Sequence, residues 1–228
     1  MKKTLDLAAI QADFDGLALL SNEGWGHNNH YHRFLLRQVP SPCRHALEIG
    51  CGTGMFARLL AQKAKRVLAL DLSPQMISMA RERSEQFTNI DFQVADVQSL
   101  ECSPGQFDCI VSIATLHHVS MEEILTKLKA ALAPNGTLIV LDLYQASLSD
   151  LPILLIAIPL NLIFKFLKTG HVKEPEAVRA AWAAHGKHDT YLTLAQLRNI
   201  CKEILPGARV RRHLFWRYSL IWKKMPGS

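Results

Sequence analysis

Ala46-Leu47-Glu48-Ile49-Gly50-Cys51-Gly52-Thr53-Gly54 is the stretch whose reading decides the fold. A short apolar run stops at a glycine, and two further glycines follow at alternate positions. Met55, Phe56, Leu59 and Leu60 then fall at helical spacing. The stretch reads as strand, tight turn and helix. Glycine lets a ligand approach the main chain and leaves amide donors open at a helix start. Two phosphate-binding patterns fit poorly. GxGxxG wants a small residue where Met55 stands, and the P-loop's Gly-Lys-Ser/Thr does not follow.

Working outward, Val67 to Leu70 is a second apolar run, ending at Asp71. Ser73 can cap a helix with Pro74 in its first position, and Met76, Ile77 and Ala80 share one face. Ile90 to Ala95 reads as a third strand, ending at Asp96, and Phe107 to Ile113 as a fourth. Ser120-Met121-Glu122-Glu123 reads as a capping box, opening a helix striped by Ile124, Leu128 and Leu132. Pro134-Asn135-Gly136 turns the chain into a fifth strand, Thr137 to Leu143. Thr193-Leu194-Ala195-Gln196 is a second capping box, with its helix running to about Ile204. Arg209 to Phe215 and Tyr218 to Trp222 predict an antiparallel hairpin at the sheet edge. Strands alternating with helices predict a parallel sheet covered on both faces, with right-handed crossovers. The expected fold is therefore α/β: a doubly wound, mostly parallel, seven-stranded sheet with a C-terminal antiparallel hairpin.

Size and composition agree with one globular domain: 228 residues, 49% apolar and 20% charged. The five cysteines are scattered and form no CxxC pair, against a disulfide framework or structural zinc. Reduced thiols suit a cytoplasmic protein. Lys2 and Lys3 hint at a signal peptide, but Asp6, Asp13 and Asp15 interrupt any apolar region, so export is not expected. The +6 net charge is concentrated late, in Arg198, Lys202, Arg209, Arg211, Arg212, Arg217, Lys223 and Lys224 against Glu203. Such an end can attract nucleic acid or anionic lipid, but a solvated sheet edge is the preferred reading. Leu151 to Leu167 is very apolar, yet Pro152, Pro159, Asn161 and Lys165 interrupt it and it is short for a span. A core or lid helix is expected, with peripheral membrane contact through 151–167 as the alternative. His171 to Asp189 is a polar stretch.

Glu48 to Gly54 resembles the first motif of class I S-adenosylmethionine-dependent methyltransferases, in its E/D-x-G-x-G-x-G form. Phe107-Asp108-Cys109-Ile110-Val111-Ser112 is similar to their fourth motif, and Leu132 to Thr137 to the approach to their fifth strand. Leu116-His117-His118-Val119 resembles an element of ubiquinone- and menaquinone-type enzymes. The resemblance implies a Rossmann-like fold and S-adenosyl-L-methionine as cofactor. It implies that Glu48, Gly50, Cys51 and Gly52 wrap the methionine portion and that Asp71 accepts from the ribose hydroxyls. Leu72 and Met76 would wall the adenine, Asp96 would face its amino group, and Val97 would offer an amide to the ring. Ile113, at the end of the fourth motif, joins this set. The domain then divides into a cap segment 1–45, a cofactor-binding core 46–144, a helical insertion or lid 145–190, and a closing helix and hairpin 191–228.

Methyl transfer from a sulfonium is an in-line displacement, and an oxygen or nitrogen acceptor can also need a base. His117 and His118, after the fourth strand, are candidates by position, and His30 is a third. His27, His30 and His32 could be read as metal ligands, but no acid or cysteine lies among them, so no metal is expected. Closure over the site is the preferred reading of that segment. Ser112-Ile113-Ala114-Thr115 lacks the Asn/Asp-Pro-Pro-aromatic box and the Pro-Cys pair of nucleic-acid enzymes. With the apolar insertion, that favours a small lipophilic acceptor. The alternatives are an RNA or protein methyltransferase steered by the basic end, and a non-catalytic cofactor-binding module.

Overall fold

The computed structural model describes residues 7–20, 26–147, 150–170, 176 and 191–226. Most of the polar stretch 171–189 lies outside the described residues.

Seven strands form one sheet: β1 (Cys43–Ile49), β2 (Ala64–Asp71), β3 (Ile90–Val94), β4 (Phe107–Ile113), β5 (Leu132–Leu143), β6 (Arg209–Arg212) and β7 (Arg217–Lys223). Their order is β3-β2-β1-β4-β5-β7-β6. The first five pair in parallel, and β7 runs antiparallel between β5 and β6. Side chains alternate across a strand. Ala46, Ala69, Val111 and Leu141 therefore enter the core on one face, and Leu47, Leu70, Ile110 and Val140 enter it on the other. Helices α2 (His32–Leu36), α3 (Met55–Ala61) and α4 (Pro74–Glu82) cover the first face. Helices α5 (Met121–Ala131) and α7 (Leu194–Ile204) cover the second. Two more helices complete the fold: α1 (Leu7–Leu20) and α6 (Leu151–Thr169). The strand order reverses direction between β1 and β4, which is where sheets of this type open a ligand crevice at their carboxyl ends.

Several expectations are modified. β1 begins at Cys43 and β2 at Ala64, earlier than their apolar runs, because the ladder starts at that buried pair and continues through exposed residues before the apolar runs begin. β5 begins at Leu132 and absorbs the Pro134-Asn135-Gly136 turn, with an irregular register against β4 between Phe107 and Cys109. The Thr193 capping box is complete, and Ser73 accepts from Met76 N at 3.0 Å. Ser120 makes no side-chain cap bond, so the box read there is not formed. β6 stops at Arg212, because the chain turns through Phe215 and Trp216, both with left-handed φ of 59° and 55°. Arg209, Arg211 and Arg212 are exposed on the edge strand, as the sheet-edge reading expects, but Arg217 is buried. Helix α6 is not a core helix. Its outward side chains, Leu155 and Phe166 among them, are exposed, because only one stripe of it meets the domain. Among the described residues, no helix is long and apolar enough to cross a membrane.

Candidate active site

The carboxyl ends of β1, β2, β3, β4 and β5 converge on one crevice. After β1 the chain turns through Gly50, Gly52 and Gly54, all at positive φ, and α3 begins at Met55. Gly50 N and Cys51 N both donate to Leu70 O, at 2.8 and 2.9 Å, which ties the turn to the end of β2. A Cβ at Gly50 would lie 1.9 Å from Thr115 Oγ1, whereas one at Gly52 would meet nothing within 4 Å. Gly50 is therefore packed against the loop after β4, and Gly52 faces open space.

Three acidic residues surround this turn. Asp71 Oδ2 accepts from Gly52 N at 2.8 Å, and Oδ1 from Ser73 N at 3.0 Å. The Leu72 backbone N–H bonds the same carboxylate, so three of its roughly four acceptor positions are filled by the main chain. Burial pushes the Asp71 carboxyl up, opposed by these amide donors. Glu48 points from β1 into the apolar layer, 2% exposed, and its Oε2 has no hydrogen-bond partner among the described residues. Burial, reinforced by Asp71, pushes Glu48 well above the ordinary carboxyl range, with Arg58 opposing. Burial likewise raises the Cys51 thiol, with Glu48 and Asp71 adding to it, so it stays protonated. Asp96 follows β3, and its Oδ1 accepts from Gln98 N at 2.9 Å. Val97 is buried beside it, while Leu72, Met76 and Ile113 are half-buried.

Beyond β4 the backbone turns at Ala114 (φ 52°), and a short helical turn carries Leu116, His117 and His118. His117 Nδ1 lies 2.6 Å from Asp142 Oδ1. Asp142 is fully buried on β5, and its carboxylate also accepts from His117 N at 3.1 Å and Leu143 N at 2.8 Å. The carboxylate thus fixes both the ring and the loop that bears it. Tyr191 and His118 flank the His117 ring at centroid distances of 5.2 and 4.0 Å. His118 is buried and meets Phe14 of α1 edge-on at 5.6 Å. Buried Arg217 also lies in the field of Asp142, and its Nε donates to Asn28 Oδ1 at 2.8 Å.

The histidines of the N-terminal segment separate. His27 stacks on Phe215 at 4.9 Å, and its Nε2 lies 2.7 Å from Asn161 Oδ1 of α6. Exposed His30 meets Phe164 and Phe215 edge-on, at 5.9 and 5.4 Å. His32 is buried against Phe56, and burial depresses it to about 4. Among the described residues no cluster of histidine, cysteine or acid could hold a metal ion. Of the three candidate bases, His117 and His118 share the crevice mouth, while the ring contacts of His30 are with the α6–hairpin cluster.

Sequence reasoning missed Asp142, Arg217 and Asp15. Asp142 was visible in principle as the one acid inside the apolar run of β5. Arg217 was counted only as surface charge. Asp15 of α1 accepts from Ser73 Oγ and, at 3.3 Å, from Gln75 N, which braces α1 on the start of α4; nothing in the sequence linked these two segments.

Residues 46–136 match the methyltransferase domain family. An uncharacterised methyltransferase of Mycobacterium bovis is 30% identical over 207 residues, covering 89% of this chain and 98% of its own length. The chain belongs to the class I S-adenosylmethionine-dependent methyltransferases. This methyltransferase is also 30% identical, over 141 residues, to a ubiquinone biosynthesis O-methyltransferase of Xanthomonas campestris, covering 56% of the chain and 59% of that relative. The fold is shared with the N-methyltransferase NodS of Bradyrhizobium japonicum, at a TM-score of 0.61 and 18% identity over 96% of the chain and 97% of NodS. S-adenosylmethionine is the methyltransferase's cofactor.

Proposed function

We propose that this methyltransferase transfers the methyl group of S-adenosylmethionine to a hydroxyl oxygen of a small lipophilic molecule, with His117 taking the hydroxyl proton. The observation that carries the reading is the 2.6 Å contact between His117 and fully buried Asp142 at the mouth of the crevice. A carboxylate accepting from Nδ1–H fixes the tautomer and leaves the proton-accepting lone pair on Nε2. A neutral hydroxyl is a poor nucleophile, and a positioned base is what it needs. The matched relative that is named as an O-methyltransferase supports an oxygen acceptor.

The residues around the glycine turn fit the cofactor. The buried Glu48 Oε2 lacks a partner, and an ammonium group would supply one. The open side of Gly52 admits a ligand against the backbone. Asp71, with three main-chain donors on its carboxylate, keeps acceptor capacity for one ribose hydroxyl. Leu72, Met76 and Ile113 offer apolar walls, and Asp96 with Val97 lies beyond them for the adenine edge. Gly50 and Cys51 shape the turn through their bonds to Leu70. The chemistry the cofactor supplies when bound is a sulfonium methyl open to in-line displacement. As the new carbon–oxygen bond forms, His117 Nε2 accepts the hydroxyl proton and Asp142 steadies the imidazolium. Asp142 is a positioning residue and does not itself transfer a proton. The cap segment and α6 close the mouth: Phe14 rests on His118, and His27 and His30 reach Asn161 and Phe164.

The test is methyl transfer from labelled cofactor to a panel of phenols graded in lipophilicity, alongside water-soluble amines and RNA. Turnover rising with phenol lipophilicity, and lost in His117→Ala without weaker cofactor binding, supports the reading. Label entering only amines or RNA refutes it.

A further inference from the structure

Helix α6 is amphipathic in an inverted sense. Ala157, Leu160, Asn161 and Phe164 form the stripe that faces the domain, at i, i+3, i+4 and i+7. Leu155, Ile156, Ile158, Leu162, Ile163, Phe166 and Leu167 face away, between 44% and 75% exposed. Only Val94 and Met225 are comparably exposed elsewhere among the described residues. An apolar face so concentrated marks an interaction surface. Across its 19 residues α6 carries no acid, and its two charges, half-buried Lys165 and exposed Lys168, lie in the last two turns on the side of His27 and His30. The chain as a whole has a net charge of +6. Exposed apolar side chains on a helix that ends in lysines and carries no acid are the pattern of a helix lying in a bilayer surface, where a long exposed stem such as that of Lys168 reaches the headgroups. Contacts on the domain side keep the helix from leaving the fold: His27 bonds Asn161, and His30 packs on Phe164.

We infer that the outward face of α6 seats this methyltransferase on an anionic lipid bilayer. The occupant follows from the charge: a helix with lysines and no acid, on a cationic protein, matches a negatively charged surface. This docking stands apart from the acceptor chemistry, although it would bring the crevice mouth to a lipid phase where lipophilic acceptors reside.

The test is flotation of the full chain with vesicles of phosphatidylcholine alone or mixed with phosphatidylglycerol. Binding is expected on the mixed vesicles, several-fold weaker on the neutral ones and weaker again at high salt. The double variant Leu155→Ser, Phe166→Ser changes exposed side chains only and should partition at least tenfold less. Lys168→Gln should bind less and lose salt dependence. A thermal shift with S-adenosylhomocysteine, expected unchanged in all variants, reports the cofactor site separately. Failure of docking and failure of the methyl-transfer reading are therefore distinguishable. No binding to the mixed vesicles, or binding indifferent to the double variant, overturns the inference. A dimer that the double variant dissociates, without vesicle binding, assigns the face to a second copy and overturns it too.

Discussion

The glycine turn yields a pair of substitutions that separate stability from cofactor binding. At Gly52 an added Cβ meets nothing within 4 Å, and the only intrinsic cost is the left-handed backbone, φ +51°. That costs about 1–2 kcal/mol, or a melting point lower by roughly 2–8 °C in a domain of this size. The new methyl stands in the open space where the methionine portion of the cofactor is proposed to lie. At Gly54 the backbone is also left-handed, φ +78°, but the Cβ would press on Phe92 Cζ at 2.9 Å and Ala80 Cβ at 3.2 Å, inside the core. Overpacking adds about 1–3 kcal/mol to the backbone term. Gly54→Ala should therefore be the less stable protein and Gly52→Ala the weaker binder. The assay is thermal unfolding with and without S-adenosylhomocysteine. Ligand at a hundredfold excess over its dissociation constant adds about 2.7 kcal/mol to the wild type. Gly54→Ala should keep most of that increment from a lower starting point. Gly52→Ala should lose at least about 1.4 kcal/mol of it, which is a tenfold loss of affinity. An undiminished ligand shift in Gly52→Ala would refute the placement of the cofactor against this turn.

Three further outcomes follow from the same geometry. Burial holds Glu48 as a neutral acid in the free protein, so Glu48→Gln, of the same shape, should leave the melting point close to the wild type's while affinity for S-adenosylmethionine falls at least tenfold; isothermal titration beside calorimetry reads both. Asp142→Asn keeps the shape but not the acceptor facing His117 Nδ1, so kcat should fall by about 10²–10⁴ with KM for the cofactor unchanged, and the acidic limb of the pH profile should move; an unchanged limb would remove His117 from the reaction. His32 has an ordinary value of 6.5 and is held at about 4 by burial, so the unfolded chain binds the extra proton first. Stability should be complete above pH 6.5 and fall as pH drops toward 4, by up to about 3 kcal/mol. Urea unfolding of wild type and His32→Phe from pH 7 to 4 checks this, because the variant should lose most of that slope.

The sheet was legible because β1, β2, β4 and β5 carry apolar runs, β3 alternates through Ile90, Phe92 and Val94, and the first three strands lead into Gly50, Asp71 and Asp96. Boundaries were less legible where pairing outran burial, as after Cys43 and Ala64, where His45 and Arg66 are exposed yet paired in the ladder. The Ser120 box failed for another reason. A side-chain cap needs a rotamer as well as a residue type, and the sequence reports only the type. Asp142 was hidden because an acid in a strand is read by alternation, and alternation does not show that the strand's end reaches a histidine 25 residues earlier. Arg217 was hidden by its company: seven other basic residues surround it in sequence, but it alone of them is buried, between Asn28 and the field of Asp142.

These two buried charges carry the deepest consequence for the site. Arg217 joins the N-terminal segment, through Asn28, to the end of β5, where Asp142 holds His117. A buried cation beside a buried carboxylate is costly to break, because either partner alone is left uncompensated. The crevice mouth is thus assembled from pieces far apart in the chain, residue 28 before β1, 117 after β4, 142 on β5 and 217 on β7, and each is held by a polar contact or a buried charge. Such contacts are directional and lose their value when displaced. Arg217→Met should accordingly loosen the cap and the histidine together. Hydrogen exchange should rise both around residues 26–34 and around 115–119. If exchange rises around 26–34 alone, Asp142 holds His117 without help from Arg217, and the coupling argued here is absent.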